Sequence, residues 1–185
     1  FIMVQLPEKT DEKSEAYKAG YKNICEIGKE RIRRAGAKIK EENPMGTVDL
    51  DVGFRVLKCD TSNMKDVYYT PDEYDASMYD LLEDNIKDDR TPEDLLFQVM
   101  LDLGVLLSSK IEETVIAGKK VFKVEDNFLV ACFDRDVTNE VIEAIAKEKP
   151  IYFVMRDSSL SNDSVATNFD QIFATYSPET IRKVL

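Results

Sequence analysis

The first eight residues constrain the fold more than any other feature. Phe1–Val4 is a run of four apolar residues with no polar alternation. Such a run predicts a strand that is covered on both faces, as in a parallel sheet. Pro7 cannot donate to a sheet ladder, so the strand is expected to end there and to present Glu8 at its carboxyl end. Because this strand needs neighbours, we expect the chain to be a piece of a larger protein.

The position of Glu8 makes it a candidate ligand-binding residue. Ligands of open α/β sheets bind at the carboxyl ends of the strands, where an acid often holds the hydroxyl groups of a nucleoside ribose. Other chemistry is restricted. The sequence has no histidine, which removes His-based acid–base, nucleophile-activating and metal-ligand roles. It also has no P-loop or G-x-G-x-x-G turn.

Charge divides the chain into two parts. Residues 1–43 carry ten Lys/Arg against eight Asp/Glu, a net charge of +2, whereas residues 44–185 carry fifteen against twenty-eight, a net charge of −13. The sequence Asn43-Pro44-Met45-Gly46 lies between them and predicts a helix stop. We therefore expect one domain at 1–43 and a second at 44–185. The acidic domain is expected to repel the phosphate backbone of DNA.

A cationic cluster in the first part departs from this acidic character. Arg31, Arg33 and Arg34 are followed by Lys38 and Lys40. Two interpretations remain open. The cluster is either a solvated helix face paired with neighbouring glutamates, or a surface on which Arg31, Arg33 and Arg34 contact DNA.

Apolar periodicity and turn residues predict an α/β fold. A helix is expected over Thr10–Lys40, with a break near Gly20 and a restart at Asn23. The later predicted elements are a strand at Gly53–Asp60, a short helix around Met78–Ile86, a helix at Thr91–Leu107, a hairpin at Val115–Val124, a strand at Phe128–Phe133, a helix at Thr138–Lys147, a strand at Ile151–Met155, a helix at Ser164–Ala174 and a terminal strand at Arg182–Leu185. Their alternation predicts a mostly parallel sheet with a β-hairpin.

The cysteines and the apolar runs bear on location. Cys25, Cys59 and Cys132 lack the paired spacing of a zinc or redox site, so we expect reduced, buried side chains in a cytoplasmic protein and no metal centre. The longest apolar runs fall far short of the ~20 residues that span a bilayer, so no membrane association is expected.

The sequence from Asp134 to Thr138 matches the D-x-D-x-T pattern of haloacid-dehalogenase-like phosphatases. In that interpretation Asp134 attacks phosphorus, and a metal ion screens it and Asp136. Such an enzyme also needs a later serine or threonine, a lysine and a distal acidic pair. Ser158 is a candidate for the first of these. The alternative is structural: Asp136 forms a turn and Thr138 caps the following helix.

Several segments together resemble the modification (Mod) subunits of type III restriction–modification systems. These segments are Phe1–Glu8, Glu30–Ala35, Gly53–Met64, Thr91–Leu107, Arg156–Leu160, Asp163-Ser164 and Asn168–Phe173. The resemblance runs along the whole chain, and it depends on these segments occurring together. Family members often carry an aromatic residue where Leu160 stands.

The resemblance implies methyl transfer from S-adenosylmethionine to the exocyclic amine of adenine within a short DNA site. Residues 1–43 would then be the tail of a methyltransferase Rossmann-like sheet, with Glu8 holding the cofactor ribose, and residues 44–185 a separate small α/β domain. The family's D-P-P-Y-type motif and glycine-rich cofactor turn are not in this sequence, so no catalytic residue is expected here and no cofactor is expected to bind the chain alone. Expected partners are DNA, a restriction subunit and a second copy in a homodimer.

Three function classes therefore remain. The first is part of a DNA adenine methyltransferase that serves subunit assembly. The second is a stand-alone protein-interaction module. The third is the phosphatase that uses Asp134 and Asp136.

Overall fold

The computed structural model describes residues 2–65, 85–160 and 163–185, with the backbone alone at 163–166. The chain divides into two compact units, Phe1–Cys59 and Asp60–Leu185. The division therefore falls later than the predicted boundary after Asn43. The helix predicted around Met78–Ile86 lies largely outside the described residues.

Two helices form the first unit, α1 at Glu15–Lys18 and α2 at Ile24–Glu42. The predicted break and restart are confirmed. Gly20 has a φ of +98°, a conformation that favours glycine and ends the first helix. The Asn23 side chain then caps α2 by accepting the Glu26 backbone N–H at 3.0 Å, as its helix-capping propensity predicts.

The prediction that residues 1–8 form a buried strand is wrong for the part of this segment that the structure describes. Residues 2–8 contain no strand, and Ile2 and Val4 are each 94% exposed. A strand requires a neighbour that takes its backbone hydrogen bonds, and no named strand lies among residues 2–59. The segment instead approaches α2, where Lys9 forms an isolated antiparallel bridge with Asn23.

The segment after α2 folds back on it, which explains why the first unit extends beyond Asn43. A Cβ atom at Gly36 would lie 2.9 Å from Val52 Cβ, so this close approach requires glycine. The guanidinium of Arg33 also lies 5.7 Å from the ring centre of Phe54. The strand predicted at Gly53–Asp60 is wrong, since these residues have no regular structure.

The second unit contains a five-stranded mixed sheet in the order β1-β2-β3-β4-β5. The strands are β1 at Ile111–Ile116, β2 at Lys119–Val124, β3 at Leu129–Cys132, β4 at Tyr152–Met155 and β5 at Ile181–Val184. β1, β2 and β3 pair antiparallel, whereas β3, β4 and β5 pair parallel. The α/β class is confirmed, and the parallel pairing is confined to the C-terminal three strands.

The predicted hairpin is confirmed. Ala117 and Gly118 connect β1 to β2 with φ angles of 45° and 82°. Two positive φ angles in a two-residue connection match the twist of the flanking strands, and glycine accepts such an angle without steric cost.

Among the described residues, the sheet is covered by helices α3 at Pro92–Asp102, α4 at Asn139–Glu148 and α5 at Asp163–Tyr176, and a 3₁₀ turn lies at Asp157–Ser159. Thr91 caps α3 in a capping box: its hydroxyl accepts the Asp94 N–H at 3.3 Å, and its own N–H donates to the Asp94 carboxylate at 2.8 Å. The helix ends before Gly104, whose φ is +70°, and is therefore shorter than predicted.

Apolar side chains fill both faces of the sheet. On β3, Val130 and Cys132 pack with α4 and α5, whereas Leu129 and Ala131 pack with α3. Successive side chains of a strand point to opposite faces, so an uninterrupted apolar run fits a strand that is covered on both sides. The prediction of a buried strand at Phe128–Phe133 is confirmed.

The cysteines differ in environment. All three are free; Cys132 is buried, Cys25 is half-buried and Cys59 is exposed. The prediction of burial is therefore right for Cys132 and wrong for Cys59. Burial raises the pKa of the Cys132 thiol to about 11, because an apolar environment disfavours the thiolate.

Candidate functional site

Glu8 is held at the start of α2 by its backbone. Its carbonyl accepts the Ile24 N–H at 3.0 Å, and its own N–H donates to the Leu6 carbonyl at 2.9 Å. The neighbouring Thr10 hydroxyl donates to the Tyr21 carbonyl at 2.6 Å. The Glu8 side chain is exposed, so its carboxylate is accessible to a ligand. The sequence predicts Glu8 at the end of a strand, but residues 2–8 form no strand. The role of Glu8 as a ribose ligand stays a prediction.

The arginines of α2 do not form one uniform cationic surface. Glu30 accepts a hydrogen bond from Arg34 at 2.7 Å and lies 3.9 Å from Arg33. Arg34 also donates to the Tyr21 hydroxyl at 3.2 Å, and the hydrogen bond to Glu30 raises the pKa of Arg34. Arg31 is exposed. These ion pairs fit the interpretation of a solvated, glutamate-paired helix face for two of the three arginines.

Helix geometry separates these arginines from Glu8. An α-helix rises about 1.5 Å and turns about 100° per residue. Arg31 therefore lies roughly 10 Å along the axis from Ile24, whose N–H binds the Glu8 carbonyl. Arg31 and Arg33 lie about 160° apart around that axis. The sequence-predicted cofactor residue and the predicted DNA-binding residues are thus distinct places on the first unit.

The two aspartates of the D-x-D-x-T sequence have structural contacts after β3. The Asp134 carboxylate accepts the Lys120 backbone N–H at 2.7 Å, which joins the end of β3 to the start of β2. Asp136 has a φ of 53°, a left-handed turn conformation that aspartate tolerates better than most residues. Thr138 occupies the N-cap position of α4 without a side-chain hydrogen bond. The geometry supports the predicted turn at Asp136, whereas the predicted side-chain cap by Thr138 is not formed.

A cationic cleft, which sequence reasoning missed, lies in the second unit. It has a volume of about 290 Å³ and is lined by Ile86, Lys87, Asp88, Arg90, Arg135 and Arg156. Arg156 directly follows β4, and Arg135 follows β3 by three residues. The lining cations come from three separate parts of the sequence, so no local spacing marks the whole set. Their one signal is the position of two arginines just after consecutive parallel strands, where ligands of α/β sheets bind.

Residues 2–65, 85–160 and 163–185 contain no group of three or more Cys, Asp or Glu side chains that could hold a metal ion. In the same part of the chain, no helix combines the length and apolar character needed to cross a bilayer.

The comparisons with known proteins give one informative likeness. No protein-family model matches the chain. The chain is 30% identical over 155 residues to the type III restriction-modification enzyme EcoP15I Mod subunit of Escherichia coli, and the match covers 80% of this chain and 21% of that protein. The chain thus spans about a fifth of the length of the relative it matches. This likeness establishes a distant relationship between the chain and a type III restriction–modification Mod subunit.

Proposed function

We propose that the chain is the C-terminal part of a cytoplasmic, site-specific DNA adenine methyltransferase of the type III Mod kind. The observation that carries this proposal is the 30% identity to a Mod subunit, since the match covers 80% of the chain and is not confined to one motif. The α/β architecture of the second unit is compatible with it. In this proposal the intact protein uses S-adenosylmethionine and binds DNA.

Within the intact protein, residues 1–43 complete the methyltransferase domain. Glu8 holds the ribose of S-adenosylmethionine, because an exposed carboxylate accepts hydrogen bonds from two vicinal hydroxyl groups. The backbone contact between Glu8 and Ile24 supports this role, since it fixes the position of the residue beside the first turn of α2. Arg31, Arg33 and Arg34 lie farther along α2 and provide the DNA-facing charge.

The chain alone is proposed to be inactive, because the methyl-transfer motif and the glycine-rich cofactor turn are not in its sequence. Loss of preorganised positioning removes many kcal/mol of barrier lowering. We expect no transfer of tritiated methyl groups from S-adenosylmethionine to unmodified DNA by the purified chain. The intact subunit is the positive control. Methylation by the chain above the no-enzyme background would contradict the proposal.

Residues 44–185 are proposed to serve subunit assembly. The domain carries a net charge of −13, which disfavours DNA, and its sheet is packed on both faces by helices. A packed domain of this kind provides a rigid surface for protein partners. The candidate partners are a second Mod subunit and the restriction subunit.

Sedimentation velocity tests the assembly role. We expect a Mod subunit truncated after Cys59, the last residue of the first unit, to lose either self-association or binding of the restriction subunit, whereas the intact subunit retains both. A fluorescence titration of residues 44–185 with labelled duplex is the companion measurement. Non-specific DNA binding has dissociation constants of about 10⁻⁴–10⁻⁶ M, and weaker binding is expected here. A truncated subunit that dimerises and recruits its partner normally would refute the assignment.

A further inference from the structure

The cationic cleft is a local reversal of charge. Residues 60–185 carry thirteen Lys/Arg against twenty-six Asp/Glu. The cleft is nonetheless lined by the four cations Lys87, Arg90, Arg135 and Arg156 and by one acid, Asp88. Nearly a third of the cations of this unit therefore converge on one place, and the unit's overall charge does not explain that arrangement.

Backbone pairing fixes the segment that supplies Lys87 and Arg90. Met64 and Ile86 form an antiparallel bridge, and the Lys87 N–H donates to the Asn63 carbonyl at 2.9 Å. The Lys87 ammonium donates to two neutral oxygens, the Thr61 hydroxyl at 2.9 Å and the Ser62 carbonyl at 2.8 Å. These contacts hold the Lys87 ammonium at the cleft.

Arg90 is largely enclosed and lies between two carboxylates. Its side chain is 13% exposed and lies 3.3 Å from the Asp60 carboxylate and 3.5 Å from that of Asp89. The Thr61 N–H, followed by the charges of Arg90 and Lys87, lowers the pKa of Asp60. Asp60 and Asp89 orient Arg90 and offset part of its charge.

The place and size of the cleft indicate a small ligand. Arg135 and Arg156 follow two adjacent parallel strands, and the crevice outside the carboxyl ends of such strands is where α/β folds bind ligands. A volume of about 290 Å³ lies at the lower end of the ~300–1,000 Å³ typical of small-molecule sites. Guanidinium groups present paired N–H donors that match the oxygens of a phosphate.

We propose that the cleft formed by Lys87, Arg90, Arg135 and Arg156 binds the phosphate group of a small phosphorylated molecule. The acidic surface of the unit disfavours an extended polyanion such as duplex DNA, because its phosphates would lie against many carboxylates. A compact phosphate enters the cleft and meets mostly cations. This site goes beyond the assembly role proposed above and stands on the geometry of the second unit alone.

Calorimetric titration of the 185-residue chain with inorganic pyrophosphate tests the site. We expect a dissociation constant of about 1 mM or tighter at low ionic strength. Arg135→Gln removes an exposed guanidinium and is expected to weaken binding about tenfold, the effect of one charge-assisted hydrogen bond. Arg182→Gln is the matched control: it makes the same change in charge at a residue that lies 3.4 Å from Asp170 and outside the cleft lining. Binding by Arg182→Gln is expected to equal that of the unaltered chain.

Circular dichroism confirms that each variant is folded, and Lys87→Gln replaces Arg135→Gln if that variant unfolds. Absence of pyrophosphate binding at concentrations up to about 10 mM would overturn the proposal. Equal weakening by Arg135→Gln and Arg182→Gln would also overturn it, because the effect would then be general electrostatic attraction. Tenfold weakening in the cleft variant alone supports the site whether or not the intact protein methylates DNA.

Discussion

Replacement of Phe173 by alanine is expected to be among the most destabilising single changes in the second unit. Phe173 lies on α5, has no exposed surface and belongs to the cluster between the sheet and helices α4 and α5. Its ring stacks on Phe153 with centroids 5.3 Å apart and meets Phe169 edge-on at 5.3 Å. The substitution therefore removes a buried ring and two aromatic pairs at once.

The expected loss is about 3–5 kcal/mol in the free energy of unfolding, the range for truncation of a buried phenylalanine. The two aromatic pairs contribute about 0.5–1.5 kcal/mol each beyond burial. Phe173→Leu keeps most of the side-chain volume and loses the pairs, so it is expected to cost about 1–3 kcal/mol. Since small domains have free energies of unfolding of about 5–15 kcal/mol, the alanine variant is expected to retain only part of its stability.

Urea unfolding followed by circular dichroism measures both effects. Leu101→Ala is the matched control, because Leu101 is 62% exposed and its truncation is expected to change the free energy by less than about 0.5 kcal/mol. A loss below about 1 kcal/mol for Phe173→Ala, or a loss equal to that of the control, would refute the assignment of Phe173 to the core.

Three further predictions follow from single contacts. Thr91→Ala removes the capping box of α3 and should lower the free energy of unfolding by about 1 kcal/mol; an unchanged urea midpoint would contradict it. Glu8→Ala in the intact subunit should weaken S-adenosylmethionine binding by roughly one to three decades, because two hydrogen bonds to ribose are lost. Calorimetry measures the dissociation constant, with Glu12→Ala as the control. Equal dissociation constants for the two variants would show that Glu8 does not bind the cofactor. The pKa of Cys132 rises on folding from 9.0 to about 11, so the unfolded chain releases this proton at lower pH than the folded one. The free energy of unfolding should therefore fall by on the order of 2–3 kcal/mol as pH rises through that interval. A Cys132→Ala variant whose free energy of unfolding falls with pH as steeply as that of the unaltered chain would disprove the link.

The second unit could be predicted from sequence because its signals are local. The apolar run at Phe128–Phe133, the Thr91-Pro92 helix start and the Ala117-Gly118 turn each specify a structure through neighbours in the chain. The order of the strands and their mixed direction depend on contacts between distant segments. The sequence therefore predicted the elements and the class, and overestimated the parallel share of the sheet.

The first unit shows why a local pattern can mislead. Phe1–Val4 has the composition of a buried strand, but a strand is stable only when another strand takes its backbone hydrogen bonds. In the part of this unit that the structure describes, the Glu8 carbonyl instead accepts the N–H of Ile24, the first residue of α2, and the Thr10 N–H donates to the Lys22 carbonyl just before that helix. The Gly53–Asp60 segment failed as a strand for the same reason.

The candidate sites also differ in how far the sequence predicts them. Glu8 and the α2 arginines could be nominated because they adjoin recognisable segments. The cleft cations Lys87, Arg90, Arg135 and Arg156 come from three separate places in the chain. Only the folded sheet brings them together, so neither their spacing nor their composition in the sequence indicated a site.

The strand order also determines how evenly the sheet resists opening. In the β1–β2 hairpin, Ile116 pairs with Lys119 across a two-residue turn, whereas Tyr152 of β4 pairs with Ile181 of β5 only after α5 has crossed over. Contacts between distant residues form late during folding because closing the longer loop costs more entropy. All four residues of β5 are exposed, and this strand lies at the edge of the sheet. Local opening therefore begins at the C-terminal edge, where backbone amide hydrogens exchange with solvent before those of the central strand β3.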